Sequence, residues 1–101
     1  MMIEQKFTNY ELEEFYCQAQ KNIIQILNTE SYLESEFKID INGDIEFQNS
    51  SISIVISHFL VKTPSIKINI KFINSNHKNI GHYALYLDLD KKFLDEYFVI
   101  Y

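Results

Sequence analysis

The sequence predicts an α+β fold: one N-terminal amphipathic helix packed on an antiparallel meander sheet of about six strands. Two observations predict it. Apolar residues recur every three to four positions between Leu12 and Leu27, then every second position from Glu36 onward. Short polar stretches separate the later apolar runs, which suits strands joined in hairpin order beneath a single helix. With 101 residues, 47% of them hydrophobic, and only two Gly and one Pro, residues 1–101 are expected to form one domain with a sizeable core.

The helix start is marked by Thr8 as N-cap and Glu11 three residues later, a capping box, with Phe7 and Leu12 placed as a hydrophobic staple. At 100° per residue, Leu12, Phe15, Tyr16, Ala19, Ile23, Ile26 and Leu27 fall within an arc of roughly 120°. Glu14, Gln18, Lys21, Asn22 and Gln25 are expected on the opposite side, and the helix to end near Asn28. Tyr10, Cys17 and Ile24 sit seven apart. They are expected to broaden the buried face, the sharper alternative being a contact strip for a partner.

From Glu36 the period is two. A three-residue loop, Ile41-Asn42-Gly43, pairs Ile39 with Ile45, Phe37 with Phe47 and Lys38 with Glu46, and places Gly43 where a left-handed residue is wanted. Ile52, Ile54 and Ile56 alternate with serines until the phase slips at Ser57-His58, before Phe59 and Val61. The slip predicts a β-bulge or a strand buried on both faces. Thr63-Pro64-Ser65 turns the chain into a half-buried strand, Ile66 to Phe72. Asn74 to Asn79 is a polar loop. Tyr83, Leu85, Leu87 and Leu89 form the next strand, Asp90-Lys91-Lys92 its tip, and Phe93 to Tyr101 the last strand.

Composition narrows the function classes. The net charge of −5 argues against nucleic acid or an anionic membrane as partner, and all nine basic residues are Lys, so the chain lacks the guanidinium usual in phosphate recognition. Residues 1–50 hold the acidic excess, which suits a basic partner as well as a solvated helix face. Cys17 is alone, so no internal disulfide forms. No apolar run approaches the ~20 residues that span a bilayer, and no signal-peptide pattern opens the chain, so a cytoplasmic protein is expected.

No catalytic, cofactor or metal motif stands out. Asp40-x-Asn42-x-Asp44 resembles the opening of a calcium loop, but Gly43 falls at the fourth position and Ser51 at the twelfth, so a tight hairpin is the better explanation. His58, His77 and His82 have no metal-ligand spacing, and there is no G-x-S-x-G elbow or phosphate-cradling Gly loop. Asp88 with Asp95 or Glu96 is the one carboxylate pairing considered for acid–base work. The expectation is a protein that is not an enzyme. Asp88, Asp90, Asp95 and Glu96 lie within nine residues, with Tyr86 and Tyr97 in the flanking strands. Clustered carboxylates steer basic partners, and Tyr gives large contact area at low entropy cost. These six residues are the candidate partner-binding surface.

Gly81-His82-Tyr83-Ala84-Leu85-Tyr86-Leu87-Asp88-Leu89-Asp90, followed by Phe93-Leu94-Asp95-Glu96-Tyr97-Phe98-Val99-Ile100, resembles the C-terminal part of small bacterial immunity proteins of contact-dependent growth inhibition systems (the CdiI type). The resemblance covers about a fifth of the chain. Where a Gly is expected after the second Asp of such a turn, this chain has Lys91. The resemblance implies a cytosolic protein that binds one cognate toxin C-terminal domain, often a nuclease, and blocks its active site. Two alternatives stand beside it: a ligand-binding module of cystatin-like or NTF2-like type with an apolar pocket between helix and sheet, and a homodimer paired through a sheet edge.

Overall fold

The computed structural model describes residues 7–29 and 45–101. Within them the elements run α1 (Asn9–Thr29), β1 (Glu46–Val55), β2 (Ser65–Ile73), β3 (Asn79–Leu87) and β4 (Phe93–Ile100). The four strands form one antiparallel sheet in the order β1-β2-β3-β4, with α1 across one face. This is the predicted α+β meander, with four strands among the described residues rather than about six. The hairpin centred on Ile41-Asn42-Gly43 and its first strand lie outside them.

The helix begins as its sequence dictates. The Thr8 amide donates to Glu11 Oε1 at 3.2 Å, and the Glu11 amide donates to Thr8 Oγ1 at 3.1 Å. Phe7 meets Phe15 edge-on, with ring centroids 5.2 Å apart, so the staple reaches past the expected Leu12 to an aromatic partner. Phe15, Ala19, Ile23 and Leu27 form the buried stripe. They pack on Ile66, Ile68, Ile70 and Phe72 of β2 and on Tyr83, Leu85 and Leu87 of β3. Two expectations for the helix are corrected. Tyr10 and Ile24 are 72% and 51% exposed and Cys17 is also exposed, because their line lies about 140° around the helix from the centre of the stripe, too far to reach the sheet. Asn22, expected in solvent, lies on the flank of the stripe and donates to the Tyr83 hydroxyl at 3.3 Å.

Residues 46–47 and 52–54, expected in separate strands, are parts of the one long strand β1, an edge of the sheet among the described residues. Phe47 pairs with Phe72, Ile52 with Ile68 and Ile54 with Ile66, and the register shifts between Asn49 and Ser51. Phe47 and Ile52 are an odd number of residues apart, so a regular strand would place them on opposite faces. The irregularity restores both to the helix side. The phase slip at Ser57-His58 is neither a bulge nor a doubly buried strand, since β1 has ended at Val55. Leu89, expected in β3, is 41% exposed in the turn that follows.

Two short turns share one design. In the β2–β3 turn, the Asn74 amide donates to the Lys78 carbonyl, the His77 amide donates to the Asn74 carbonyl, and Asn74 Oδ1 accepts from the Asn76 and Lys78 amides. In the β3–β4 turn Asp88 does the same with Lys92, Lys91 and Asp90. Each three-residue loop ends in a left-handed residue, His77 at φ 61° and Lys91 at φ 67°. Gly81 serves a different need. A Cβ there would run into the Val99 carbonyl oxygen and sit 2.9 Å from Ile100 Cδ1, so only Gly lets β3 and β4 approach at that row.

The face away from the helix carries three rows of side chains set by the register. They are Ser53–Lys67–Tyr86–Asp95, then Ser51–Asn69–Ala84–Tyr97, then Gln48–Lys71–His82–Val99. Among the described residues, no helix is long and apolar enough to cross a membrane.

Candidate partner-binding face

The connection from β1 to β2 builds the site. Val55 and Ser65 are paired, so the segment between them, residues 56–64, leaves and re-enters the sheet at one point, as an Ω-type loop does. It closes through a cis Thr63–Pro64 bond and folds back onto the open face, where Val61 packs with Ala84 and Tyr86 in a small second core. This explains why Tyr86, though turned away from the helix, is only 5% exposed.

His58 organises the loop. Its Nδ1 accepts from the Leu60 amide at 3.0 Å and the Val61 amide at 3.1 Å, satisfying two donors that would otherwise compete for water. In a neutral ring with Nδ1 accepting, the proton sits on Nε2. The ring also packs against Tyr86 and Tyr97 at 5.3 and 6.5 Å between centroids. With the base of the turn held this way, the loop presents Phe59, 93% exposed, together with the exposed Ile56 and Leu60. Val99 and Tyr101 extend the apolar surface at the end of β4.

Beside this knob lies an open depression of about 260 Å³ over Ala84, bordered by Lys67, His82, Tyr97 and Val99 and overhung by His58. Ala84 is the smallest side chain of its row, which leaves the hollow. The Lys67 ammonium lies 5.9 Å from the centre of the Tyr86 ring. His82 Nδ1 is 2.9 Å from the Tyr101 hydroxyl, and its pKa is lowered by burial and by the charge on Lys67. Burial and the neighbouring Asp95 carboxylate push the Tyr97 hydroxyl up.

The six residues expected to form one acidic surface are divided among three places. Tyr86, Asp95 and Tyr97 share the open face, with Tyr86 buried beneath the loop rather than offered to a partner. Asp88 holds the β3–β4 turn through its backbone acceptances, and Asp90 is exposed at the tip. Glu96 pairs with Leu85 and therefore faces the helix, where it accepts from the Tyr83 hydroxyl at 2.9 Å. Asp95 and Glu96 lie on opposite faces of β4, and Asp88 is committed to its turn. The pairing considered for acid–base chemistry is not assembled. Among the described residues, no group of three or more His, Cys, Asp or Glu could hold a metal ion.

Sequence reasoning missed Phe59, Leu60, Lys67 and His82. The signal for the first two was the broken alternation at Ser57-His58 followed by Pro64, which marks a loop as well as an irregular strand. The lysine and histidine were legible as outward positions of β2 and β3, but their neighbourhood depends on a loop packing from elsewhere in the chain. Comparison with protein-family models, curated proteins and solved structures finds no match in any of the three.

Proposed function

We propose that this protein works by binding another protein through the open sheet face and the loop at residues 56–64, and that it is a cytosolic immunity protein neutralising a cognate bacterial toxin domain by blocking access to its active site. One observation carries the binding reading. Phe59 is 93% exposed on a loop whose base is fixed by His58 and Val61, next to Ile56, Leu60 and Val99. Water disfavours such a patch, and a rigid aromatic with its ordering cost already met is the usual anchor of an interface. The immunity reading adds the acidic, Arg-free composition and the resemblance of Gly81–Asp90 and Phe93–Ile100 to immunity proteins.

The alternatives gain less support. The side chains of Ala19, Ile23, Ile66, Ile68, Ile70, Tyr83 and Leu85 have no exposure and form one packed cluster, which does not favour an apolar ligand chamber between helix and sheet. Among the described residues β4 is a sheet edge, but it carries Asp95 and Glu96 near its middle, and charged residues on an edge strand disfavour pairing with a second copy.

Co-expression with the product of the adjacent upstream reading frame tests the proposal. The expected result is a stable one-to-one complex and restored growth, with Phe59→Ala weakening the complex at least tenfold while the melting temperature of the free protein stays unchanged. A neighbour that encodes no toxin, with no complex formed, overturns the immunity reading.

A further inference from the structure

We infer that the open face receives an acidic, apolar-flanked segment of the partner protein, with a carboxylate seated in the hollow over Ala84 between Lys67 and His82. This rests on the protein-binding reading and names the chemistry of the partner.

Among the described residues, the positive charge on this face has no carboxylate paired with it. The chain as a whole is acidic, yet the middle of this face carries the β2 cations Lys67 and Lys71, with the His82 ring opposite Lys71 on β3. Among the described residues the one ion pair joins Lys91 to Glu11, at the far side of the molecule's sheet, so neither Lys67 nor Lys71 is matched by a carboxylate there. Lys67 instead lies beside the face of the Tyr86 ring. Burial, and then the charge on Lys67, lower the pKa of the His82 ring beside it. Asp95 occupies the corner of the face and is engaged by the Glu96 amide at 2.8 Å.

Shape and donors agree with charge. The hollow has an apolar floor, and around it stand an ammonium, the His82 ring and the His58 ring, whose remaining nitrogen is a donor once Nδ1 is taken up by two amides. Donors converging on a partly desolvated concavity favour an anion, and a carboxylate flanked by apolar side chains also uses Phe59, Leu60 and Val99. Single-stranded nucleic acid fits less well. Tyr86 and Tyr97 meet each other edge-on at 87° and Tyr86 is buried, so the sheet offers no row of open ring faces for bases to stack on. A toxin with a basic catalytic cleft would therefore be gripped by an acidic border of that cleft.

The test uses the full chain, labelled with nitrogen-15, and three probes: a twelve-residue peptide alternating Glu and Leu, the same peptide with Lys for Glu, and a twelve-residue oligo-dT. The expected result is saturable shifts at Lys67, His82 and Ala84 with the glutamate peptide, at least tenfold tighter than with the lysine peptide or the oligonucleotide. Lys67→Gln should weaken that binding at least fivefold with the spectrum otherwise folded, and Lys67→Glu should weaken it further. Equal or tighter binding of the lysine peptide, tighter binding of oligo-dT, or no saturable shift with the glutamate peptide would overturn the inference. Failure of the toxin co-expression alone leaves these outcomes independent, because the peptides probe the face and not the identity of the toxin.

Discussion

The Lys91 ammonium, on the β3–β4 turn, lies 3.2 Å from the Glu11 carboxylate in the first turn of α1, and 5.8 Å from the centre of the Phe15 ring. One side chain thus ties the hairpin tip to the helix start, from a backbone position that an L-residue adopts reluctantly.

That conflict gives the first prediction. Lys91→Ala keeps the left-handed strain and loses both contacts, whereas Lys91→Gly loses the contacts and relieves the strain. An exposed ion pair contributes on the order of 0.2–1 kcal/mol, and a left-handed non-Gly residue costs about 1–2 kcal/mol. Urea unfolding should therefore find Lys91→Gly close to the parent and more stable than Lys91→Ala by about 1 kcal/mol. His77→Gly, at the equivalent exposed position of the other turn, should raise stability by about 0.5–1 kcal/mol.

Asp88 and Asn74 perform one task in the two turns, which predicts how Asp88 responds to substitution. Asp88→Asn retains an oxygen for the Asp90 and Lys92 amides and should fold like the parent. Asp88→Ala leaves both donors to water and should lower stability by about 1 kcal/mol. Under the proposed binding function, partner affinity should be unaffected by Asp88→Asn, since Asp88 Oδ1 is engaged by the Asp90 and Lys92 amides.

Tyr83 is the polar clasp between helix and sheet. Burial, with Glu96 adding to it, pushes its hydroxyl far above the ordinary phenol range, so it stays protonated and donates to Glu96 while accepting from Asn22. Tyr83→Phe leaves an amide and a carboxylate without their shared partner and should cost about 1–3 kcal/mol. Glu96→Gln keeps an acceptor oxygen and should cost less. Thermal melts of the two variants check the order.

The capping box carries a pH dependence. The Thr8 amide, and then Lys91, hold the Glu11 carboxyl below its ordinary value of 4.5. A lowered folded-state value means that the unfolded chain binds the proton first. The contribution is therefore fully present above pH 4.5 and is lost as pH falls through the folded-state value. Unfolding midpoints of the parent and of Glu11→Gln should differ at neutral pH, and the gap should close as pH falls below 4.5.

How far the fold was legible follows from where its causes lie. Residues 8–27 could be read because capping and periodicity are local. Thr8, Glu11 and the stripe from Phe15 to Leu27 each do what their spacing implies. The strand Glu46–Val55 reads as two because an alternation that fails at Asn49–Ser51 looks the same whether a strand ends or merely gains a residue. Residues 56–62 read as irregular strand because Phe59, Leu60 and Val61 are as apolar as any core segment, and nothing local says that the first two stay in water. The acidic cluster was a correct count of neighbours along the chain and an incorrect one in space. Alternation alone places Asp95 and Glu96 back to back, and only the register with Leu85 shows which of them meets the helix.

The unequal connections of the sheet bear on how it assembles. The turns at 74–78 and 88–92 close β2, β3 and β4 over the shortest of loops, so this three-stranded unit has little chain entropy to surmount and its pairings are nearly all local. The β1 strand must instead be brought back across residues 56–64, and that same journey lays Val61 on Ala84 and Tyr86. Substitutions in the two turns should therefore change the rate of folding, while those at Val61 or His58 should chiefly change the rate of unfolding. Among the described residues, the loop at 56–64 would then be the last part to acquire its shape and the first to lose it.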